Sequence, residues 1–325
     1  MPTNNEKFCV IPFTQLQLSP MGNVSACCFA NEYKVGSILD SSIEEIWNGE
    51  AIRAWRREFI SGNIKICADP IKRFQCHKHY RHLEKHVVPT EYQNGPPLRL
   101  DLRLNSQCNL DCIMCHVKNQ PSGLYENSDL WTYGSKQIFP NLIEIDVLGG
   151  EPFVQKDTFR LIDEILKRNS KCTWSFLTNC NYKFTGIVKR SLDRLPLRSI
   201  HMSLDAVNPE TYRRIRRGGK HSLVFATVNS YVKYAKTRER EGRPFSLFAS
   251  MCIQIANWRE ISDFLFFCIS MGITPVLQTV INQKSLSIEN LSREEKDKLT
   301  ADLKSWMVGS TKDVVSPVLR EITKH

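Results

Sequence analysis

No apolar run in this sequence approaches the roughly 18 to 20 residues that a membrane-spanning helix needs. The opening MPTNNEKFCV carries no apolar leader core. Both absences predict a cytoplasmic chain with no membrane partner. Gly and Pro number only 15 each among 325 residues, which excludes collagen-like and low-complexity architectures. Acidic residues are outnumbered, 34 against 44 Lys and Arg, giving a formal net charge of +10. That excess permits an anionic partner such as nucleic acid or a phosphorylated substrate, but a solvated surface produces it as readily. With 42% hydrophobic and 24% charged residues, wholesale disorder is excluded and one or two cored domains are affordable in length.

What the chain does have is twelve cysteines. Without a secretory leader, clustered cysteine points to metal more than to disulfides. Cys9, Cys27, Cys28, Cys67 and Cys76 fall in the first quarter, and Cys108, Cys112 and Cys115 form a tight trio. Cys172, Cys180, Cys252 and Cys268 are scattered and read as small core hydrophobes.

The stretch VVPTEYQNGPP (87–97) is rich in Pro and turn formers and marks a boundary. We expect a Cys-rich domain over 1–94, a main domain over 95–282 and a helical extension over 283–325. In the main domain LRLDLRL (98–104) alternates at period two, and 141–150, 172–179, 197–205, 246–254 and 273–280 are further strand candidates. Helical apolar spacing separates them at 155–169, 184–194, 209–240 and 257–271, with Ile261, Phe264, Leu265 and Cys268 on one face. Repeated βα units predict an α/β fold, a partial (β/α)6 barrel of the TIM type.

The trio reads C-x3-C-x2-C and directly follows the first of these strands, where barrel active sites are built. Three thiolates on one loop can hold three irons of a cubane and leave the fourth open. A closed zinc site with His116 as fourth ligand is the competing reading. One strand later comes Gly149-Gly150-Glu151-Pro152.

Together these motifs resemble the radical SAM superfamily, over residues 97–280. The resemblance implies a [4Fe-4S] cluster on Cys108, Cys112 and Cys115 whose open iron is chelated by S-adenosylmethionine (SAM). It implies that Gly149, Gly150 and Glu151 meet the methionyl amino group: glycine lets the backbone approach, and a carboxylate pairs with an ammonium. It also carries Asn179, Ser203, Asp205 and Gln254 over as SAM contacts, with Arg217 reaching the SAM carboxylate and Arg216 as its rival. Reductive cleavage of SAM would then yield a 5′-deoxyadenosyl radical that abstracts a substrate hydrogen atom. Cys180, at a strand end, is a candidate hydrogen-atom donor, with packing as the plainer reading.

Cys9, twelve residues, Gly22, four residues and Cys27 resemble the opening of a SPASM or twitch domain, as does GSILDSSIEEIWNGEAIRAWRREFISG. Within it Ser42 and Glu45 have capping-box spacing. The resemblance implies a second, auxiliary [4Fe-4S] cluster on Cys9, Cys27, Cys67 and Cys76, with Cys28 and His79 as alternates and zinc as another occupant. The chain departs from the usual C-x2-C-Y at Cys67 and Cys76. His77, His79, His82 and His86 have the spacing of one exposed helix face.

Three functions compete at this level. The first is a radical SAM enzyme acting on a peptide or peptide-like substrate, as maturases do. The second acts on nucleic acid or a nucleotide, which Arg53, Arg56, Arg57, Lys72 and Arg73 favour through their charge. The third is non-enzymatic, an iron–sulfur electron carrier or a zinc module. The first two require an electron donor such as flavodoxin or ferredoxin.

Overall fold

The computed structural model describes residues 8–30, 33–68, 76–280 and 283–322. Lys72 and Arg73 lie outside the described residues. The chain clusters into two units, and each is described by itself.

The first unit takes in residues 1–107, 119–150 and 155–174. Its strands are β1 (Gln15–Leu18), β2 (Asn23–Ser25), β3 (Lys34–Ser37), β4 (Arg99–Leu102) and β5 (Glu144–Val147), in the spatial order β5-β4-β1-β2-β3. β4 runs parallel to β5, with Arg99 opposite Glu144, and parallel to β1, with Arg99 opposite Gln15. β1, β2 and β3 pair antiparallel. The N-terminal cysteine-bearing segment therefore supplies a strand to the same parallel sheet as β4. β4 keeps the period-two alternation that its sequence predicts, yet Arg99 and Asp101 are as buried as Leu100 and Leu102. A strand buried on both faces tolerates charge only where it is paired. The Arg99 guanidinium meets the carboxylates of Glu144 (2.6 Å) and Asp146, donates to the Gln15 side-chain oxygen, and lies 4.6 Å over the Tyr80 ring.

Helices α1 (Ile11–Thr14), α2 (Ile43–Trp47), α3 (Glu50–Ser61) and α4 (Lys156–Leu166) belong to this unit. α2 has the expected capping box: Ser42 Oγ accepts the Glu45 N–H at 3.2 Å, and Glu45 accepts the Ser42 N–H at 2.9 Å. Arg56 is buried, donates to the carbonyls of Pro12 and Trp47, and stacks 4.4 Å over the Trp47 ring. The histidines do not form one exposed helix face. His77 sits on the 3-10 turn Cys76–Lys78, His82 and His86 on Arg81–His86, and His79 in the turn between them; His77 is buried and His82 bonds Glu144 at 2.9 Å.

The second unit takes in residues 108–118, 151–154 and 175–325. β6 (Thr173–Thr178) enters it from the first, and β7 (Leu197–Ser203), β8 (Ser246–Ile253) and β9 (Thr274–Thr279) follow. β8 pairs parallel with β7 and with β9. Between and after the strands come α5 (Gly186–Asp193), α6 (Pro209–Ile215), α7 (His221–Arg240), α8 (Ile261–Ser270), α9 (Arg293–Ser305) and α10 (Lys312–Ile322). Parallel strands with intervening helices make this a mixed α/β fold, as the alternation of patterns predicts. On α8 the expected face, Ile261, Phe264, Leu265 and Cys268, is buried. Residues 209–240 are not one helical stretch. The helix stops at Ile215, Arg216–Arg217 becomes a two-residue strand, and Gly218 turns the chain at φ +82° before α7 starts. Among the described residues no helix is long and apolar enough to cross a membrane.

Removing one partner of a buried ion cluster leaves uncompensated charge. Arg99→Met should therefore lower the unfolding free energy by about 3 to 5 kcal/mol in chemical denaturation, because Glu144 and Asp146 lose their counter-charge. A loss under about 1 kcal/mol, the scale of an exposed pair, would mean that the cluster is not what holds β4.

Candidate active site

In the second unit the three trio cysteines lie on segment 108–118. Asp111–Cys112 pairs antiparallel with Arg216–Arg217, placing Cys112 opposite Arg216. The Ile113 N–H donates to Ile215 O at 3.0 Å, and the Cys115 N–H to Cys112 O at 3.1 Å. The break between α6 and α7 thus anchors the cysteine loop. Two sulfurs face N–H donors: Asn179 Nδ2 is 3.5 Å from Cys108 Sγ, and Arg216 Nη1 is 3.9 Å from Cys112 Sγ. Burial pushes the Cys112 thiol up to about 11 against the pull of Arg216.

Of the two arginines, Arg216 is the one at the trio. It is buried and its guanidinium pairs with Asp205 Oδ2 at 2.7 Å, whereas Arg217 is exposed. Adjacent residues of a strand point to opposite faces, which is why only one can do this. Asp205 is itself committed: Oδ1 accepts the Cys252 N–H at 2.7 Å, and its carbonyl accepts from Asn257 Nδ2 at 2.8 Å. Its backbone is left-handed, φ +63°. Ser203 is half-buried at the end of β7, opposite Ser250. Gln254 is fully buried; its Nε2 reaches Cys252 O at 3.4 Å, and its Oε1 has no hydrogen-bond partner among the described residues.

Glu151 is fully buried. Its Oε2 accepts the Asn179 N–H at 2.6 Å, and Oε1 accepts Thr178 Oγ1 at 2.9 Å and the Phe153 N–H at 3.1 Å. The carboxylate thereby closes the turn Pro152–Val154 and holds the end of β6. Burial pushes it up to about 7, opposed by those three bonds and by the charge of Arg216. Cys180 is fully buried with a left-handed backbone, φ +59°, its N–H on Thr178 Oγ1 at 3.2 Å. Such burial suits packing better than hydrogen-atom transfer to a substrate. Thr178, Tyr182 and Asn257 are site neighbours that the sequence does not single out; their only signal is position at strand ends.

In the first unit, a Cβ added at Gly150 would lie 2.1 Å from Gln107 O and 2.5 Å from Gln155 Nε2. The Gln155 amide bonds Gln107 O at 2.8 Å and Gly149 O at 3.0 Å, so glycine is required where these backbones meet. Also in this unit, Cys9, Cys67 and Cys76 are buried and Cys27 and Cys28 half-buried. Burial raises the Cys9 thiol, with Cys76 and Cys67 adding to the effect, and raises Cys67 to about 12 with Cys76 adding. Cys28, the alternate to Cys27, is the member of the vicinal pair that bears on Cys76. The His79 N–H donates to Cys76 O at 3.1 Å, and its ring meets that of Tyr80 edge-on, 6.3 Å between centroids.

Among the described residues, no three His, Cys, Asp or Glu side chains already converge as a metal cage. The donor chemistry nevertheless fits iron–sulfur cubanes. Each group is all thiol, and two of the trio's sulfurs face N–H donors, the environment that tunes such clusters.

A family model for the radical SAM superfamily matches residues 103–265. One for the SPASM iron–sulfur cluster-binding domain matches residues 9–76, N-terminal to it. A protein of Methanocaldococcus jannaschii named probable GTP 3′,8-cyclase is 24% identical over 216 residues, 62% of this chain and 67% of its own. A GTP 3′,8-cyclase of Desulforamulus reducens is 28% identical over 170 residues, 51% of this chain and 50% of its own. The chain thus spans between half and two thirds of these relatives. Streptococcus suis SuiB bound to S-adenosylmethionine aligns over 79% of this chain and 59% of its own, at 18% identity and a TM-score of 0.45.

The raised Glu151 has a consequence for stability. Its value in the fold, about 7, lies above its ordinary 4.5, so folding takes up a proton between those values. The contribution is fully present below about pH 4.5 and is lost as pH rises through about 7. Relative to Glu151→Gln, the wild type should lose on the order of 3 kcal/mol across that window and stay constant above it. A difference that is flat with pH would mean that this carboxyl is not held in a desolvated site.

Proposed function

We propose a function from one premise: this chain belongs to the radical SAM superfamily. It is an enzyme that uses a [4Fe-4S] cluster and SAM, and it carries a SPASM iron–sulfur domain at residues 9–76. When bound, the cluster and SAM supply reductive cleavage of the sulfonium C–S bond and, through it, abstraction of a substrate hydrogen atom.

In our reading, Cys108, Cys112 and Cys115 hold that cluster. The observation that carries it is the company they keep. Arg216 faces Cys112, Asn179 faces Cys108, and Glu151 is bonded to the Asn179 backbone. The Glu151 carboxylate receives the SAM ammonium. Arg216 orients the cysteine loop, in preference to Arg217. Gln254 Oε1 and Ser203 Oγ offer polar atoms to the ligand. Cys9, Cys67 and Cys76, with Cys28 or Cys27, hold the auxiliary cluster. Twelve cysteines free of disulfides suit a reducing cytoplasm and a flavodoxin- or ferredoxin-type donor.

For the substrate we favour a purine nucleotide. The curated relatives carry the name GTP 3′,8-cyclase, and the net charge of +10 suits a polyphosphate. A peptide-like substrate is the second reading, favoured by the SPASM match because such domains accompany peptide maturases.

The test is anaerobic. Reconstituted protein reduced with dithionite should form 5′-deoxyadenosine from SAM, and Cys112→Ala should form none; wild-type yield from that variant would overturn the trio assignment. Purine nucleoside triphosphates should stimulate formation and be consumed with it. Stimulation by peptides alone would transfer the assignment to the second reading.

Iron counting separates the two cysteine groups. Wild type should hold about eight irons per chain, two cubanes, and a variant with Cys108, Cys112 and Cys115 all replaced by Ala about four. An iron-free triple variant would make zinc the better occupant of the N-terminal cysteines.

A further inference from the structure

We propose that Thr178, Tyr182 and Tyr231 form a one-way hydrogen-bond chain that favours the ionised form of the buried Glu151 over the neutral acid, making them positioning residues for SAM binding. The inference rests on the reading of Glu151 as the partner of the SAM ammonium.

The direction of the chain follows from counting protons. Every hydrogen-bond partner of Glu151 among the described residues is a donor: the N–H groups of Asn179 and Phe153, and the Thr178 hydroxyl. Thr178 has one proton and gives it to Glu151. Its oxygen also receives the Cys180 N–H at 3.2 Å, so its contact with Tyr182 Oη at 2.9 Å must be a bond that Tyr182 donates. Tyr182 has then used its own proton. The contact of Tyr182 Oη with Tyr231 Oη at 2.7 Å is therefore donated by Tyr231. All three hydroxyl dipoles point their positive ends toward the carboxylate.

The reverse direction is blocked at its far end. A protonated Glu151 could pass its hydrogen bond only to Thr178, which would then donate to Tyr182, and Tyr182 to Tyr231. Tyr231 is fully buried on α7 against the Phe184 ring, 4.5 Å between centroids, and its hydroxyl meets no other acceptor among the described residues. Reversal would strand a buried O–H, which is unfavourable. Protonation at Oε2 would aim a proton at the Asn179 N–H. The hydroxyl chain thus opposes the neutral acid at Oε1, and the Asn179 N–H opposes it at Oε2.

The other charged and titratable groups around Glu151 do not replace this effect. Arg216, on the short strand after α6, pulls toward ionisation, but Asp205 at 2.7 Å neutralises much of its field. Cys108 on the trio loop, Cys180 and Tyr182 after β6, and Tyr231 on α7 also bear on the carboxylate, and any negative charge on them would oppose its ionisation. Directed neutral dipoles are left as the main support for the charge.

The experiment measures SAM affinity from mildly acid to about pH 9 on anaerobically reconstituted holoenzyme. The variants are Thr178→Val, Thr178→Ser, Tyr182→Phe and Glu151→Gln. Wild-type affinity should rise with pH as Glu151 ionises. Thr178→Val should move that midpoint up by about one pH unit, so that affinity is about tenfold weaker on the acid side and converges with wild type on the alkaline side. Tyr182→Phe should shift it the same way by less, and Thr178→Ser should restore the wild-type midpoint. An unmoved midpoint in Thr178→Val, or an equal loss at every pH, overturns the proposal. If Glu151→Gln binds SAM with the wild-type profile, the reading of Glu151 as ammonium partner fails instead. The pH dependence of unfolding, wild type against Glu151→Gln with and without Thr178→Val, then reads the ionisation without SAM. An upward shift there supports the chain, and no shift overturns it.

Discussion

The buried pair of Arg216 and Asp205 is the constraint on which the catalytic unit turns. An ion pair this deep contributes little net stability, because two desolvation costs offset its attraction. What it contributes is position. The backbone of Arg216 pairs with Cys112, and its guanidinium faces the Cys112 sulfur. Asp205, the partner, is tied to the backbone of Cys252 and through its carbonyl to Asn257. The cysteine loop, the end of β7 and the end of β8 are therefore joined through one arginine. Losing it would leave Asp205 buried and unpaired, so the loop cannot relax without disturbing the strand ends beneath it.

Charge is distributed unevenly over this unit, and the imbalance has chemical meaning. Arg216 and Asp205 answer each other. Glu151 is answered only by neutral donors and by an arginine already engaged. Burial pushes it up to about 7, which marks a carboxylate short of positive charge. Such a group gains most from an incoming cation, because an ammonium would restore the charge that solvent no longer screens. The Oε1 of Gln254 is a second buried polar atom, without a hydrogen-bond partner among the described residues. Perturbed acids and orphaned polar atoms cluster where function is, although structural networks also produce them.

Much of this was legible in the sequence. Six strand segments are found where alternation and apolar runs predict them, because neighbouring turn residues bound each run. The trio and the glycine pair were legible because their spacing is local. Arg216 against Arg217 was not, since a two-residue strand is defined only by its partner, 104 residues earlier at Cys112. The break at 216–219 did carry a local signal, the glycine pair Gly218-Gly219, whereas the two-residue strand before it shows only in its pairing with Asp111–Cys112. Tyr231 carries no local mark of its role, because an aromatic on a helix's inner face reads as core, and its hydroxyl partner is 49 residues away. The burial of Arg99 and Asp101 was likewise invisible, since alternation distinguishes two faces of a strand but not which of them meets water.

Arg99 also explains why the N-terminal cysteine segment is part of the sheet. Its guanidinium binds the Gln15 side-chain oxygen, and the Gln15 amide in turn holds the Ala26 carbonyl at 2.8 Å, immediately before Cys27 and Cys28. The same guanidinium lies over Tyr80, four residues after Cys76. One side chain on β4 thus reaches the two loops that bring the vicinal pair and Cys76 together. β1 provides the backbone side of the same arrangement by pairing with β4 residue for residue. A segment that was only tethered would need none of these contacts, and it would leave β4 with an open edge and Arg99 without its Gln15 and Tyr80 contacts. The charge buried in β4 is therefore answered by the carboxylates of β5, and the cysteine-bearing segment fills the remaining polar and ring contacts of the same side chain.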